Sequence, residues 1–354
     1  MTHAQSTLKR QYRQYKKRNT RPVVWLLLGI PVLVAVSIAS GSADLSLMDV
    51  LRALFSRGDA FSDTPGARAK AVIVWELRLP RVIMGVISGF ALGVAGAVMQ
   101  RILRNPLADP YMLGIASAAG FGASLAIILG VGVMGGSYLI IGNAFFFSAL
   151  ASGLVLVFSG GHRASPEKMV LVGLSLLFFF QAMTTLLQYF GEAEAVKAAV
   201  FWTVGDLGKS DWSDIAMLLP IVILGWCVLQ WKAADLNVLN SGDSCAKSLG
   251  VHVDRIRVLT MLVCTLMVAA VVSFTGTIGF VGLVAPHVVR MALGTDSRLV
   301  IPAAGLVGAV LLVLADTLAR TLLSPVILPV GAVTAFLGVP LFLYLIVRKR
   351  SMLW

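Results

Sequence analysis

Charged side chains supply only 13% of the 354 residues, about half the share usual in a soluble domain, so there is too little polar surface to cover a water-soluble fold of this length. Cysteine is scarce too. Cys227, Cys245 and Cys264 form no C-x-x-C pair and two of them fall in apolar runs, which excludes a disulfide framework and a metal knuckle. His3, His162, His252 and His287 stand too far apart for an H-x-x-x-H or H-E-x-x-H metal site. For His287, the one histidine in an apolar stretch, a bond to a nearby carbonyl is a simpler reading than a haem or metal ligand. No nucleophile, acid and base cluster together, so the chain does not read as an enzyme.

What the chain has in excess is apolar length: 58% hydrophobic residues and a mean hydropathy of +0.88. A bilayer-spanning helix needs about 20 mostly apolar residues. Such runs fall at 23–40, 79–103, 111–132, 137–160, 166–190, 212–231, 256–275, 278–292, 299–320 and 326–347. Ten spans predict an all-α polytopic membrane protein. The run at 278–292 is short and glycine-rich at its start (Gly276, Gly279, Gly282), which suits a tilted or partly inserted helix. The first run follows a basic tail (Lys9, Arg10, Arg13, Lys16, Lys17, Arg18, Arg21) and precedes the small residues 39–43, as in a secretory signal. It is also long enough to span, and an uncleaved first helix is preferred.

The net charge of +12 is unevenly placed. Counted from a cytoplasmic amino terminus, the inner segments sum to +14 and the outer ones to −2, the asymmetry of the positive-inside rule rather than a nucleic-acid footprint. It implies a cytoplasmic tail at 1–22, a ten-helix domain at 23–347 and a cytoplasmic tail at 348–354. The outer loop 41–78 is long enough for short surface helices. Inside, the segment 235–251 contains Asp243-Ser-Cys-Ala-Lys-Ser-Leu-Gly250, read as a short helix ended by a glycine cap. It serves either as a docking element or as a solvated linker.

Ionisable residues are nearly missing from the spans. Asp316 and Arg320, at i and i+4, neutralise each other, whereas an ion-coupled carrier needs several carboxylates along its path. The energy source is therefore expected in another polypeptide, with an ion-coupled secondary transporter as the rival. The string Gly205-Asp-Leu-Gly-Lys-Ser210 ends like a phosphate-binding loop, but Thr203 stands where that loop needs its first glycine. In the second span Gly85, Gly89, Gly93 and Ala97 line one ridge, a pattern for close helix packing.

Four strings, in this order, resemble the binding-protein-dependent permeases of the iron-chelate and vitamin B12 ABC importer family. They are Glu76-Leu-Arg-Leu-Pro-Arg81, the glycine-rich Gly89–Gln100, Asn105-Pro-Leu-Ala-Asp-Pro-Tyr-Met-Leu-Gly114 and Gly276-Thr-Ile-Gly-Phe-Val-Gly-Leu-Val-Ala-Pro-His-Val-Val-Arg290. The resemblance covers nearly the whole chain and implies the type II ABC importer permease architecture. Its implied partners are a second permease subunit, most simply an identical copy, two cytoplasmic ATPase subunits and an extracytoplasmic substrate-binding protein. ATP and Mg would sit on the ATPases, with no cofactor on this chain. The implied location is a bacterial or archaeal plasma membrane, the inner one in a Gram-negative cell.

Carried over residue by residue, the resemblance makes Arg78, Arg81 and Arg320 the contacts for carboxylates of the binding protein. It makes Ser241, Gly242, Asp243, Ala246, Lys247, Leu249 and Gly250 the ATPase-coupling segment, and Asn105, Pro106 and Leu107 the cytoplasmic gate. A second gate element falls at Ser165-Pro166-Glu167, which departs from the small hydroxyl residues of the relative compared. A path with few charges suits a large solute whose metal is masked by a chelator. A ferric siderophore is the first expectation, with haem, a corrinoid or molybdate left open.

Overall fold

The computed structural model describes residues 2–41, 45–55, 65–160 and 165–348. The tail 349–354, His162, Arg163 and much of the loop 41–78 lie outside them. The described residues are helical and contain no strand. In chain order the helices are α1 (Thr2–Ala39), α2 (Leu47–Phe55), α3 (Pro65–Val72), α4 (Leu79–Ile102), α5 (Ile115–Leu129), α6 (Leu139–Phe158), α7 (Pro166–Phe190) and α8 (Ala193–Thr203). They continue with α9 (Trp212–Trp231), α10 (Ala233–Leu239), α11 (Asp243–Ser248), α12 (Val253–Thr275), α13 (Val281–Leu293), α14 (Ser297–Thr321) and α15 (Val330–Arg348).

Among the described residues seven helical stretches are long and apolar enough to cross a bilayer, and three shorter apolar helices, α5, α13 and most of α15, bring the total to the ten expected. Helix ends fall where the sequence changes character. Ser165 caps α7 ahead of Pro166, Asp211 and Asp214 form a reciprocal capping box on α9, and Gly130 and Gly294 close α5 and α13. Helix α1 runs unbroken from Thr2 through the first span, so the basic stretch is continuous with it. One feature differs from expectation. The connection after α7 carries α8, an 11-residue helix too short to register as a span.

The helix α4 is the axis of the bundle, with Met84, Leu92, Met99 and Ile102 fully buried. It packs most extensively on α14 and also on α12 and α13, while α5, α6 and α7 form a second group joined to it through α12. The α4–α14 and α4–α13 seams are backbone against backbone. A methyl added at Gly89 would stand 2.4 Å from the Gly308 carbonyl oxygen, at Gly93 2.1 Å from that of Ala304, and at Gly96 1.9 Å from that of Gly282. Gly85 has ordinary space, its nearest neighbour being a Leu207 methyl at 3.4 Å. Gly85 still faces α14, 3.6 Å from Val313, with room to spare, while Gly96, which the expected ridge did not include, makes the tightest approach.

Between α12 and α13 the chain is unwound over 276–280, with Gly276 and Phe280 both at positive φ. The 13 residues of α13 span roughly 20 Å at 1.5 Å per residue, less than the hydrocarbon thickness of about 30 Å. Unwound backbone between two apolar helices of a membrane protein is tolerated only if its polar groups find protein partners. They do here: Asp206 N donates to Thr275 O at 2.8 Å, and Ile278 N donates to the Tyr111 hydroxyl at 3.2 Å.

Candidate functional site

Two clusters of charge stand at opposite ends of the bundle, one beside α2 and α8, the other beside α11. At the α8 end, a π-turn at Ile73–Arg78 leads into α4, with Leu79 N bonding back five residues to Val74 O. Pro80 has no N–H to lose there, and the wide turn brings Arg78 and Arg81 to the same place as Arg320 on α14. Arg81 Nε and Nη2 lie 2.9 Å and 2.8 Å from Asp316 Oδ1. Arg320 Nε donates to Asp316 Oδ2 at 3.0 Å. Asp316 is therefore shared between two helices, not neutralised by Arg320 alone; sequence spacing shows only the partner on its own helix.

The remaining donors close the end of α1. Arg78 Nη1 reaches Ile38 O at 2.6 Å and Ala39 O at 3.1 Å, while Arg320 reaches Ser40 O at 2.9 Å and Ser37 O at 3.1 Å. These are carbonyls that α1 leaves without helical partners, and cations suit a helix carboxyl end. Each of the three arginines is only 7% exposed, so the cluster, with Arg81 and Arg320 on Asp316 and Arg78 on the α1 carbonyls, offers the surface its field more than its atoms. Beside it opens a cavity of ≈ 560 Å³ lined in part by Arg81, Trp202, Asp206, Lys209, Phe274 and Leu328. Its wall includes the Gly205–Ser210 string, a tight turn whose amides are engaged: Gly208 N on Asp206 Oδ1 at 2.7 Å and Ser210 N on Leu207 O at 3.3 Å. They do not wrap a phosphate.

At the α11 end, α4 stops in a Schellman turn, with Arg104 N bonded to Arg101 O at 3.2 Å and Asn105 N to Gln100 O at 3.2 Å. Asn105 then folds its side chain onto Leu107 N at 2.9 Å, placing Pro106 and the half-exposed Leu107 on the surface. The string continues into a 3₁₀ turn capped by Asp109, whose Oδ1 accepts from Tyr111 N at 2.8 Å. Burial raises the Asp109 carboxyl to about 6, against the smaller lowering effect of that bond.

The short helix α11 follows Gly242 at φ +105° and is closed by Gly250 at φ +81°, with Val251 N on Ala246 O at 3.0 Å. Ser241, Lys247, Leu249 and Gly250 are exposed, Gly242 and Asp243 partly so, and Ala246 is buried beneath them. Asp243 faces inward and gathers two guanidiniums that sequence spacing does not reveal: Arg104, in direct contact, and Arg257 of α12, whose Nη2 lies 3.0 Å and 3.2 Å from its two oxygens. Gln100 ties α4 to α13, its Oε1 accepting from Arg290 and its Nε2 lying 3.4 Å from Leu283 O. Among the described residues no group of three His, Cys, Asp or Glu side chains could hold a metal ion.

A sequence model of the FecCD transport family matches residues 27–348. An ABC transporter permease protein of Methanocaldococcus jannaschii is 39% identical over 96% of this chain and 97% of its own length. The hemin transport system permease protein HmuU of Yersinia pestis is 36% identical over 92% of this chain and 96% of its own. Among solved structures, an inward-facing metal-chelate-type ABC transporter superposes with a TM-score of 0.82 at 29% identity, covering 93% of this chain and 99% of that one.

Proposed function

Because the chain belongs to the FecCD transport family, with the match running from the first span to the last, we propose that it is the membrane permease subunit of a binding-protein-dependent ABC importer that moves a metal chelate, in the first instance a ferric siderophore, into the cytoplasm. ATP is hydrolysed on a partner subunit. The observation that carries this is the full-length likeness to permeases combined with the charge economy of the bundle. Among the described residues Asp316 is the one Asp or Glu that is buried as a whole residue, and it is held by Arg81 and Arg320; the enclosed carboxyl of Asp109 lies outside the spans. A coupling ion has no relay to follow. Relatives of this chain include a hemin permease, which keeps haem as the second candidate.

In this reading the α8 end faces outward and meets the binding protein through the field of Arg78, Arg81 and Arg320. The α11 end faces the cytoplasm, where 241–250 seats on the ATPase and Asn105, Pro106 and Leu107 border the exit. If the permease pairs with a second copy of itself, the outer face of the pair meets one binding protein and the inner face two ATPase subunits. The exposed apolar residues Phe178, Phe179, Leu186 and Tyr189 of α7 supply a surface for lipid or for that copy.

The test is uptake into vesicles holding the permease with its cognate ATPase, with the binding protein added, offering a ferric hydroxamate, hemin and cyanocobalamin in separate arms. Uptake of the hydroxamate that requires both ATP and the binding protein is expected. Uptake by the permease alone on an ion gradient would overturn the ABC reading, and ATP-driven uptake of hemin or cyanocobalamin only would reassign the substrate.

A further inference from the structure

Arg104 is one of two non-glycine residues at positive φ among the described residues, at +47°. It occupies the position of the Schellman turn after α4 where glycine is strongly preferred, because a side chain there crowds the preceding carbonyl. A strained residue persists where its side chain is needed, and the side chain of Arg104 reaches Asp243 at the start of α11. The same carboxylate holds Arg257, whose side chain is only 4% exposed. A solvent-exposed ion pair contributes little, but a carboxylate shared between a strained surface arginine and a buried one is a fixed joint.

We propose that Asp243 is the joint that transmits movement of α11 to the inner ends of α4 and α12, through Arg104 and Arg257. This rests on the reading of α11 as the ATPase-seated helix. Glycines at positive φ flank α11 on both sides, so its connecting backbone is soft and a push on it dissipates unless side chains carry it. Among the described residues its side-chain ion pairs are those of Asp243 and the looser Lys247–Asp254 pair at 3.8 Å. Arg104 immediately precedes Asn105-Pro106-Leu107, so displacement of Asp243 moves that turn directly.

The experiment uses the permease reconstituted with its cognate ATPase, and reads both ATPase co-purification and the stimulation of ATP hydrolysis by the binding protein. A wild-type chain that retains no ATPase defeats the reading of the function, before any variant is made. With that in place, Arg104→Gly relieves the backbone strain, so its melting temperature is expected to equal or exceed wild type with the ATPase retained. Stimulation should nevertheless fall about fivefold or more, at the lower end of site-to-site coupling. Arg104→Lys, which keeps the charge, should retain most of it. Asp243→Asn should lose as much as Arg104→Gly, and the double variant no more than either alone. Full stimulation in Arg104→Gly, or losses that add in the double variant, would overturn the joint.

Discussion

Asp316 shows how a single side chain can decide the state of several others. It is 1% exposed and carries two guanidiniums from different helices. Removing one partner of a buried ion pair costs about 3–5 kcal/mol, because the other is left uncompensated. Asp316→Asn is expected to lower the unfolding temperature in detergent sharply, whereas a wild-type-like melting curve would mean that the arginines are hydrated. Asp109 acts in the opposite sense. Burial raises its carboxyl to about 6, above the ordinary range near 3.9, so its ionisation costs the folded state stability that begins to be lost as pH rises above about 4 and is fully lost above 6. The cost disappears as pH falls through 6 toward 4, where both forms are protonated. Asp109→Asn keeps an acceptor for Tyr111 N and should melt higher than wild type at pH 8 but not at pH 4. Melting curves at the two pH values check this.

Among the elements, α4 depends on the absence of side chains. Adding a methyl in a helix interior ordinarily gains up to about 1 kcal/mol over glycine. Gly85→Ala should therefore be neutral or stabilising, its new atom meeting a Leu207 methyl at 3.4 Å. Gly93→Ala should reverse the sign, because the methyl meets the Ala304 carbonyl oxygen at 2.1 Å and a backbone cannot rotate away. Size-exclusion profiles and melting temperatures of the two variants distinguish them; equal behaviour would mean that α14 gives way. The four-residue repeat of small residues makes the existence of a seam legible. It does not locate the seam, since one ridge on α4 drifts around the helix and meets α14 at Gly89 and Gly93 but α13 at Gly96. Likewise the ten spans are readable from apolar length and cap residues, while α8 is fixed by its packing on α5 and the unwound 276–280 by bonds to Thr203 and Tyr111.

For the whole molecule, the distribution of charge over two ends is legible in the sequence, and the partners of individual charges are not. Arg81 and Asp316 lie 235 positions apart, and Arg104 and Asp243 139 apart; nothing local signals either pair. If the α8 end meets a binding protein through its field, Arg78→Gln should slow association and flatten its dependence on salt while leaving the dissociation rate largely unchanged. Stopped-flow binding at two ionic strengths reads this, and an unchanged association rate would exclude the role. The arginines that bind the closing carbonyls of α1 carry one more consequence. Between Arg21 and Ala39 that helix turns one flank to the surroundings, with Trp25, Leu28 and Val32 all more than half exposed, while its described polar bonds into the bundle gather at Ser37, Ile38, Ala39 and Ser40. Its inner flank packs on α14 from Val23 to Ile38, so a displacement of α14 is expected to carry the first helix with it.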